Sequence, residues 1–334
     1  MIKEWQTIER GEFSPVYLII GTEAYIIQET LKRIEENALI ADEAEFNYAN
    51  FDLTETSIEV AIGEAESVPF WGDRKVVILQ RPTFLTSEKD KVDHQIKGFE
   101  NYLNEPVPFT ILVIVAGVDK LDARKKISKL VQKNAVVIDA TAPNEQSLLR
   151  WLSERATALN MDYEPAAMQE LMVLTNFQLS VAIQELEKIA LFVNGGLMTV
   201  QIVEDMVVRS LEQNVFQLTE KVVNKETGKA LRIYQDLIKQ KEEPIKILAL
   251  LISQFRLMNQ VKIMKKKGYS DPEMARTLKV HPYRAKLAAQ SVRNIELIHL
   301  QTALAALAKA DFELKTGRGL PGQKVEWFIF NWHA

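Results

Sequence analysis

"PVYLIIGTEAYIIQETLKRI" (residues 15–34) decides the fold. It opens with a short apolar run of buried-strand character and continues from about Glu23 as a helix, with Gly21 as the turn between them. A strand passing through a glycine turn into a helix is the building unit of a parallel α/β sheet. Further along, "KVVIL" (75–79), "FTILVIVA" (109–116) and "AVVIDA" (135–140) are continuous apolar runs rich in β-branched residues. Such runs are typical of parallel strands covered on both faces. "FNYANF" (46–51) alternates, as a strand near a sheet edge does. Helical stretches at about 57–67, 90–104 and 122–133 separate the runs. The first 140 residues therefore read as a doubly wound, five-stranded parallel α/β domain.

After "DATAPNE" (139–145) the pattern turns helical and stays so. Asn144 is placed to cap the first of these helices. "EPAAMQELMVLT" and "LSVAIQELEKIALFV" follow, and Gly195-Gly196 breaks the chain. A last helical block begins near residue 212. Its longest segment, "EEPIKILALLISQFRLMNQVKIMKKKG" (242–268), has Pro244 at the start and Gly268 past the end. Ile245, Leu248, Leu251, Ile252, Phe255 and Met258 form its expected buried stripe.

The chain has 334 residues, 47% hydrophobic and 26% charged, which suits two or three soluble domains. No run approaches about 18 uninterrupted apolar residues, and the first residues have no signal-peptide core, so no membrane is expected. With 0 cysteines there are no disulfides and no thiolate chemistry, which fits a reducing cytoplasm. The charge is uneven. Residues 1–210 carry 20 Lys and Arg against 33 Asp and Glu, a net −13, whereas residues 211–334 carry 21 against 12, a net +9. Only the last third is suited to lie near a polyanion.

The turn at Gly21 is where a nucleotide-binding α/β protein carries its phosphate loop. On that spacing the second glycine falls on Ile26, the lysine on Ile27 and the hydroxyl on Gln28. Glu23 would add a carboxylate that repels phosphate by several kcal/mol at an effective dielectric of ~20. The strand that should end in a metal-binding acidic pair ends in Gln80-Arg81. No nucleotide, and no other cofactor, is expected. The histidines His94, His281, His299 and His333 lack metal-ligand spacing, and no nucleophile elbow occurs, so neither a metal nor a catalytic residue is expected.

Residues 270–290 resemble a DNA-reading helix-turn-helix, with Ala275 and Leu278 turned inward. Arg276, Lys279, Arg284 and Lys286 are suitable phosphate partners, as are Lys265, Lys266 and Lys267 in "KIMKKKG". The lysine triplet also suits a helix C-terminus on dipole grounds alone.

"PVYLIIGTEAYIIQETLKRI", "VPFWGDRKVVILQRPTFL", "VAIQELEKIALF", "EEPIKILALLISQFR" and "LKVHPYRAKLA" occur in that order. Together they resemble the delta-subunit family of bacterial DNA polymerase III, the clamp-loader wrench, along the whole chain. Gln184 stands where that family commonly has Asn. The resemblance implies an AAA+-like α/β domain over 1–140 without a functional phosphate loop, a small helical lid over 141–210, and a helical collar over 211–334. It implies a sliding clamp as partner of the first domain, with ATP-binding and delta-prime subunits joined through the collar. Primed DNA enters in the assembled complex. The subunit would open the clamp without a catalytic site of its own, as part of a DNA-directed DNA polymerase holoenzyme. The clamp-binding segment falls on Phe70 and Trp71, flanked by Pro69 and Gly72. Two other readings stay open at this stage: an active P-loop ATPase or helicase loader, and a helix-turn-helix regulator.

Overall fold

The computed structural model describes residues 2–40, 44–88 and 90–332. The chain divides into two units, Met1–Met206 and Val207–Ala334.

In the first unit, β1 (Val16–Gly21), β2 (Tyr48–Asp52), β3 (Lys75–Gln80), β4 (Thr110–Val115) and β5 (Val136–Ala140) form one sheet in the order β2-β3-β4-β1-β5. Every pairing is parallel, with Val16 opposite Leu112, Val77 opposite Leu112 and Tyr17 opposite Val136. The central strand β4 is buried at each of its positions, as the unbroken apolar run "TILVIV" requires. Val16, Leu18, Val77, Leu79, Leu112 and Ile114 point to one face, which is packed by Phe84, Phe99 and the helices Ile58–Glu66, Ile96–Asn104 and Lys126–Asn134. The alternate residues point the other way. There the helix Ala24–Ala38 packs on β3 and β5, with the helix Lys3–Glu9 against it.

Two details differ from the expected elements. The edge strand β2 begins at Tyr48, because Phe46 and Asn47 belong to a one-turn helix, Ala44–Asn47. The segment from residue 90 becomes helical only at Ile96, after a 3₁₀ turn at Thr83–Leu85.

Four helices complete this unit: Glu145–Ala158, Pro165–Leu174, Leu179–Val193 and Val200–Met206. Asn144 caps the first, its side-chain oxygen accepting from the Ser147 amide at 2.9 Å. Two short strands among these helices, β6 (Asp162–Tyr163) and β7 (Leu197–Met198), pair in parallel. Each is two residues long, below what strand patterning can register.

The second unit is helical throughout its described residues, with helices Leu211–Val223, Thr227–Lys239, Pro244–Lys266, Asp271–Leu278, Pro282–Ser291, Leu297–Lys315 and Pro321–Asn331. Its core gathers on the long helix Pro244–Lys266. Ile247, Leu248, Leu251, Phe255 and Met258 are buried, and Phe255 meets Phe328 and Trp332 edge-on at 5.3 and 5.2 Å. The stripe thus starts at Ile247, while Ile245 in the first turn is exposed. This helix is long and apolar enough, by length and composition, to cross a membrane. Lys246, Gln254, Arg256 and Lys262 nevertheless interrupt its apolar run, and its apolar side here forms a protein core.

Candidate partner-docking site

The segment between the helix Ile58–Glu66 and β3 adopts neither helix nor strand. It carries Phe70 and Trp71, exposed at 68% and 64%. Because it leads into β3, it lies at the N-terminal edge of the parallel sheet. Isolated exposed apolar side chains are ordinary, but two adjacent aromatic rings in solvent make this loop the candidate contact surface.

The loop is bonded at several points. Its far end is fixed by Lys75, a buried lysine whose ammonium donates to Glu64 Oε1 and to Ser67 Oγ, both at 2.6 Å. Arg74 stacks over the Phe13 ring at 4.8 Å and donates to the Gly11 carbonyl at 3.4 Å. Gly72 has φ 73°, a left-handed turn that favours glycine. At the tip, the Asn47 side chain accepts from the Phe70 amide at 2.9 Å and donates to the Trp71 carbonyl. Phe46 stacks on Phe70 with centroids 5.4 Å apart and meets Trp71 at 6.3 Å. Pro69 is half-buried beside them.

The opposite edge of the sheet is built differently. Gly21 ends β1 with φ 130°, and a Cβ there would come within 1.9 Å of the Ala140 carbonyl carbon. The glycine serves close approach to β5. Its amide donates to the Val118 carbonyl, and the Glu23 amide donates to the Ala140 carbonyl, both at 2.9 Å. The Tyr25 amide donates to Ser180 Oγ at 3.1 Å, and that hydroxyl donates to Glu23 Oε1 at 2.5 Å. The amides of Gly21, Glu23 and Tyr25 therefore all end on protein oxygens. Ile26 is buried, Ile27 half-buried and Gln28 exposed.

Ser180 begins a junction between the helices Ala24–Ala38, Glu145–Ala158 and Leu179–Val193. Trp151 packs edge-on against Trp5 at 5.3 Å and Tyr25 at 6.2 Å, and Arg155 pairs with Glu187 at 2.5 Å. Burial, followed by the charges of Glu29 and Glu187, pushes the Tyr25 phenol up to about 12. Gln80 ends β3, two strands from β1, and Arg81 follows it. Arg81 is left-handed at φ 51° and pairs with Asp52 at the end of β2.

In the second unit, Ser270 and Glu273 form a capping box on the helix Asp271–Leu278, and Lys279 ends it at φ 54°. His281 caps the next helix, its Nδ1 accepting from the Tyr283 amide at 3.3 Å. Arg276, Lys279 and Lys286 are exposed, and Arg284 is half-buried. Lys265, Lys266 and Lys267 are exposed at the end of the long helix. Lys265 and Lys266 line a cleft of about 710 Å³ with Lys262, Arg293, Ile295 and Ile298. Lys262 itself donates to the Val292 carbonyl at 2.8 Å. His94 accepts from the Ile58 amide at 3.2 Å, and His333 lies outside the described residues. Among the described residues no group of three or more His, Asp or Glu side chains could hold a metal ion.

Residues 17–141 match the family model for DNA polymerase III, delta subunit, and residues 212–332 that for its C-terminal domain. A middle-domain model matches residues 144–205. The chain is 38% identical over 328 residues to DNA polymerase III subunit delta of Bacillus subtilis, covering 97% of this chain and 94% of that protein. It belongs to the DNA polymerase III delta-subunit family. Its Escherichia coli relative of the same name is 21% identical over 307 residues, covering 91% of this chain and 87% of that protein. Among solved structures, the Bacillus subtilis DNA clamp loader delta protein matches with a TM-score of 0.76 at 38% identity, over 98% of this chain and 97% of that one.

Within this delta-family chain, sequence reading singled out Phe70 and Trp71 as candidates but not Phe46, Asn47 or Ser180. The Asn47 contacts cross 23 and 24 residues and the Ser180 contact to Glu23 crosses 157, distances that no local pattern carries. Phe46 had a signal, an aromatic residue directly before the edge strand, which the strand reading of "FNYANF" absorbed.

Proposed function

We propose that this delta-family chain binds a ring-shaped sliding clamp through Phe70 and Trp71 and opens it for loading onto primed DNA. The observation that carries the proposal is the exposed ring pair on a loop whose backbone is bonded to its own domain. Pro69 and Gly72 shape the turn, and the two rings plug an apolar pocket on the clamp. Burying each ring contributes about 1.5–3 kcal/mol, the scale of an interface hot spot.

The chain acts without a nucleotide of its own. The commitment of the Gly21, Glu23 and Tyr25 amides supports this, as do Ile27, Gln28, Gln80 and Arg81 in place of phosphate and metal ligands. ATP on neighbouring subunits governs exposure of the tip. The domains are residues 1–140 for the clamp, 141–210 as lid and 211–334 as collar. Exposed Phe312, Trp327 and Phe330 support a collar that meets neighbouring clamp-loader subunits. Lys265, Lys266, Lys267, Arg276, Lys279, Arg284 and Lys286 lie toward DNA as phosphate partners without base reading. The assembly works in the cytoplasm.

A donor–acceptor dye pair across one interface of the cognate clamp tests the opening step. Adding the chain without ATP is expected to lower energy transfer. Binding that leaves transfer at its starting value would overturn the opening role.

A further inference from the structure

We infer that Asn47 is the positioning residue of the docking tip and Phe46 its third ring, which rests on the clamp-docking reading above. Asn47 is fully buried although its side chain is a primary amide. A buried amide is costly unless its donors and acceptor are used. Its oxygen accepts from the Phe70 N–H and its nitrogen donates to the Trp71 carbonyl. One planar group therefore closes on the backbone of both aromatic residues, as a neighbouring strand would.

The consequence is for affinity. A flexible loop loses its freedom when it docks, whereas a loop already held in its docking conformation avoids that loss. Asn47 sits immediately before β2, the strand beside β3, so the sheet itself fixes its position against the loop that enters β3. Phe46 rides on the same turn and is 52% exposed. Its ring stacks on Phe70 at an interplanar angle of 29° and stands across Trp71 at 72°. The three rings offer one apolar face, fixed from behind by the amide.

The test uses the full chain, its cognate ring-shaped clamp and amide hydrogen exchange. Asn47→Ala is expected to weaken clamp binding by about 10- to 100-fold and to speed exchange at the Phe70 amide by about tenfold or more. Amides of β3 and β4 should exchange as slowly as in the wild type, which separates positioning from general destabilisation. Phe46→Ala should weaken binding by about tenfold with Phe70 exchange unchanged. Should Asn47→Ala not fold, Asn47→Asp is read instead. It keeps the acceptor for Phe70 but sets a carboxylate oxygen against the Trp71 carbonyl, and should bind more weakly than the wild type. Folded Asn47 variants that bind like the wild type overturn the positioning role; a folded Phe46→Ala that does so removes the third ring. A wild type that ignores the clamp, or a Phe70→Ala/Trp71→Ala variant that still binds it, overturns the docking reading itself.

Discussion

At the C-terminal edge of the sheet the amides of Gly21, Glu23 and Tyr25 all end on protein oxygens, whereas at the N-terminal edge Phe70 and Trp71 stand in solvent. Both edges have well-bonded backbones. They differ in what remains available to a partner. The C-terminal edge is where a parallel α/β sheet offers helix N-termini to phosphates. Here the Ser180 hydroxyl, itself donating to the Glu23 carboxylate, and two backbone carbonyls accept from those donors. The N-terminal edge normally serves the scaffold. Here it carries two adjacent large rings that leave the core, Phe70 and Trp71. The sheet thus keeps its parallel architecture while one edge is closed by the protein's own groups and the other exposes two rings.

Four predictions break or sharpen this contrast, in falling order of effect. Gly21→Ala forces a Cβ into the Ala140 backbone at a φ that other residues rarely adopt. It should cost about 4 kcal/mol or more and unfold the α/β domain near physiological temperature. Circular dichroism melting checks this, and an unchanged transition would mean the closed edge tolerates far more space than its geometry shows. Phe70→Ala and Trp71→Ala should each weaken clamp binding by about 2–4 kcal/mol, roughly 30- to 1,000-fold, as buried hot-spot aromatics do. Their melting curves should match the wild type, because exposed side chains contribute little to folding. A collapsed melting curve would instead make the rings part of the core.

Ser180→Ala removes the acceptor of the Tyr25 amide and the donor to Glu23. A loss of about 1–2 kcal/mol is expected, seen by denaturant unfolding of the chain. Calorimetry with ATP should show no heat for the wild type or for this variant. ATP binding by either would reopen the phosphate edge. The smallest effect belongs to the second unit. Replacing Lys265, Lys266 and Lys267 together with alanine should leave folding unchanged. It should lower the salt dependence of DNA binding by the assembled complex by about one to three in the log–log slope. An unchanged slope would remove this cluster from the DNA path.

Much of the scaffold could be read from the sequence because it is written in local patterns. The runs at 75–79 and 109–116 became β3 and β4 within a residue or so, since strands buried on both faces must be continuously apolar. The run at 135–140 became β5, a sheet edge that leaves Val137 and Asp139 exposed rather than covered on both faces. The alternating "FNYANF" did become an edge strand, but its first two residues left the strand to build the tip. Ile245 shows the limit on helices. Its spacing fits the stripe, yet the first turn of the helix leaves it exposed and the core begins at Ile247. The candidate site was legible in its exposed rings and hidden in what supports them. Two aromatic residues between Pro69 and Gly72 are visible as a local anomaly. Asn47 and Ser180 are ordinary polar residues whose meaning comes only from partners brought near by folding.

The most direct measurement is a calorimetric titration of the cognate sliding clamp with the full chain, wild type beside Phe70→Ala/Trp71→Ala, with melting curves of both. Tight wild-type binding, lost in a double variant that melts like the wild type, is the result the account predicts. A folded wild type that does not bind, or a double variant that binds equally well, would contradict it.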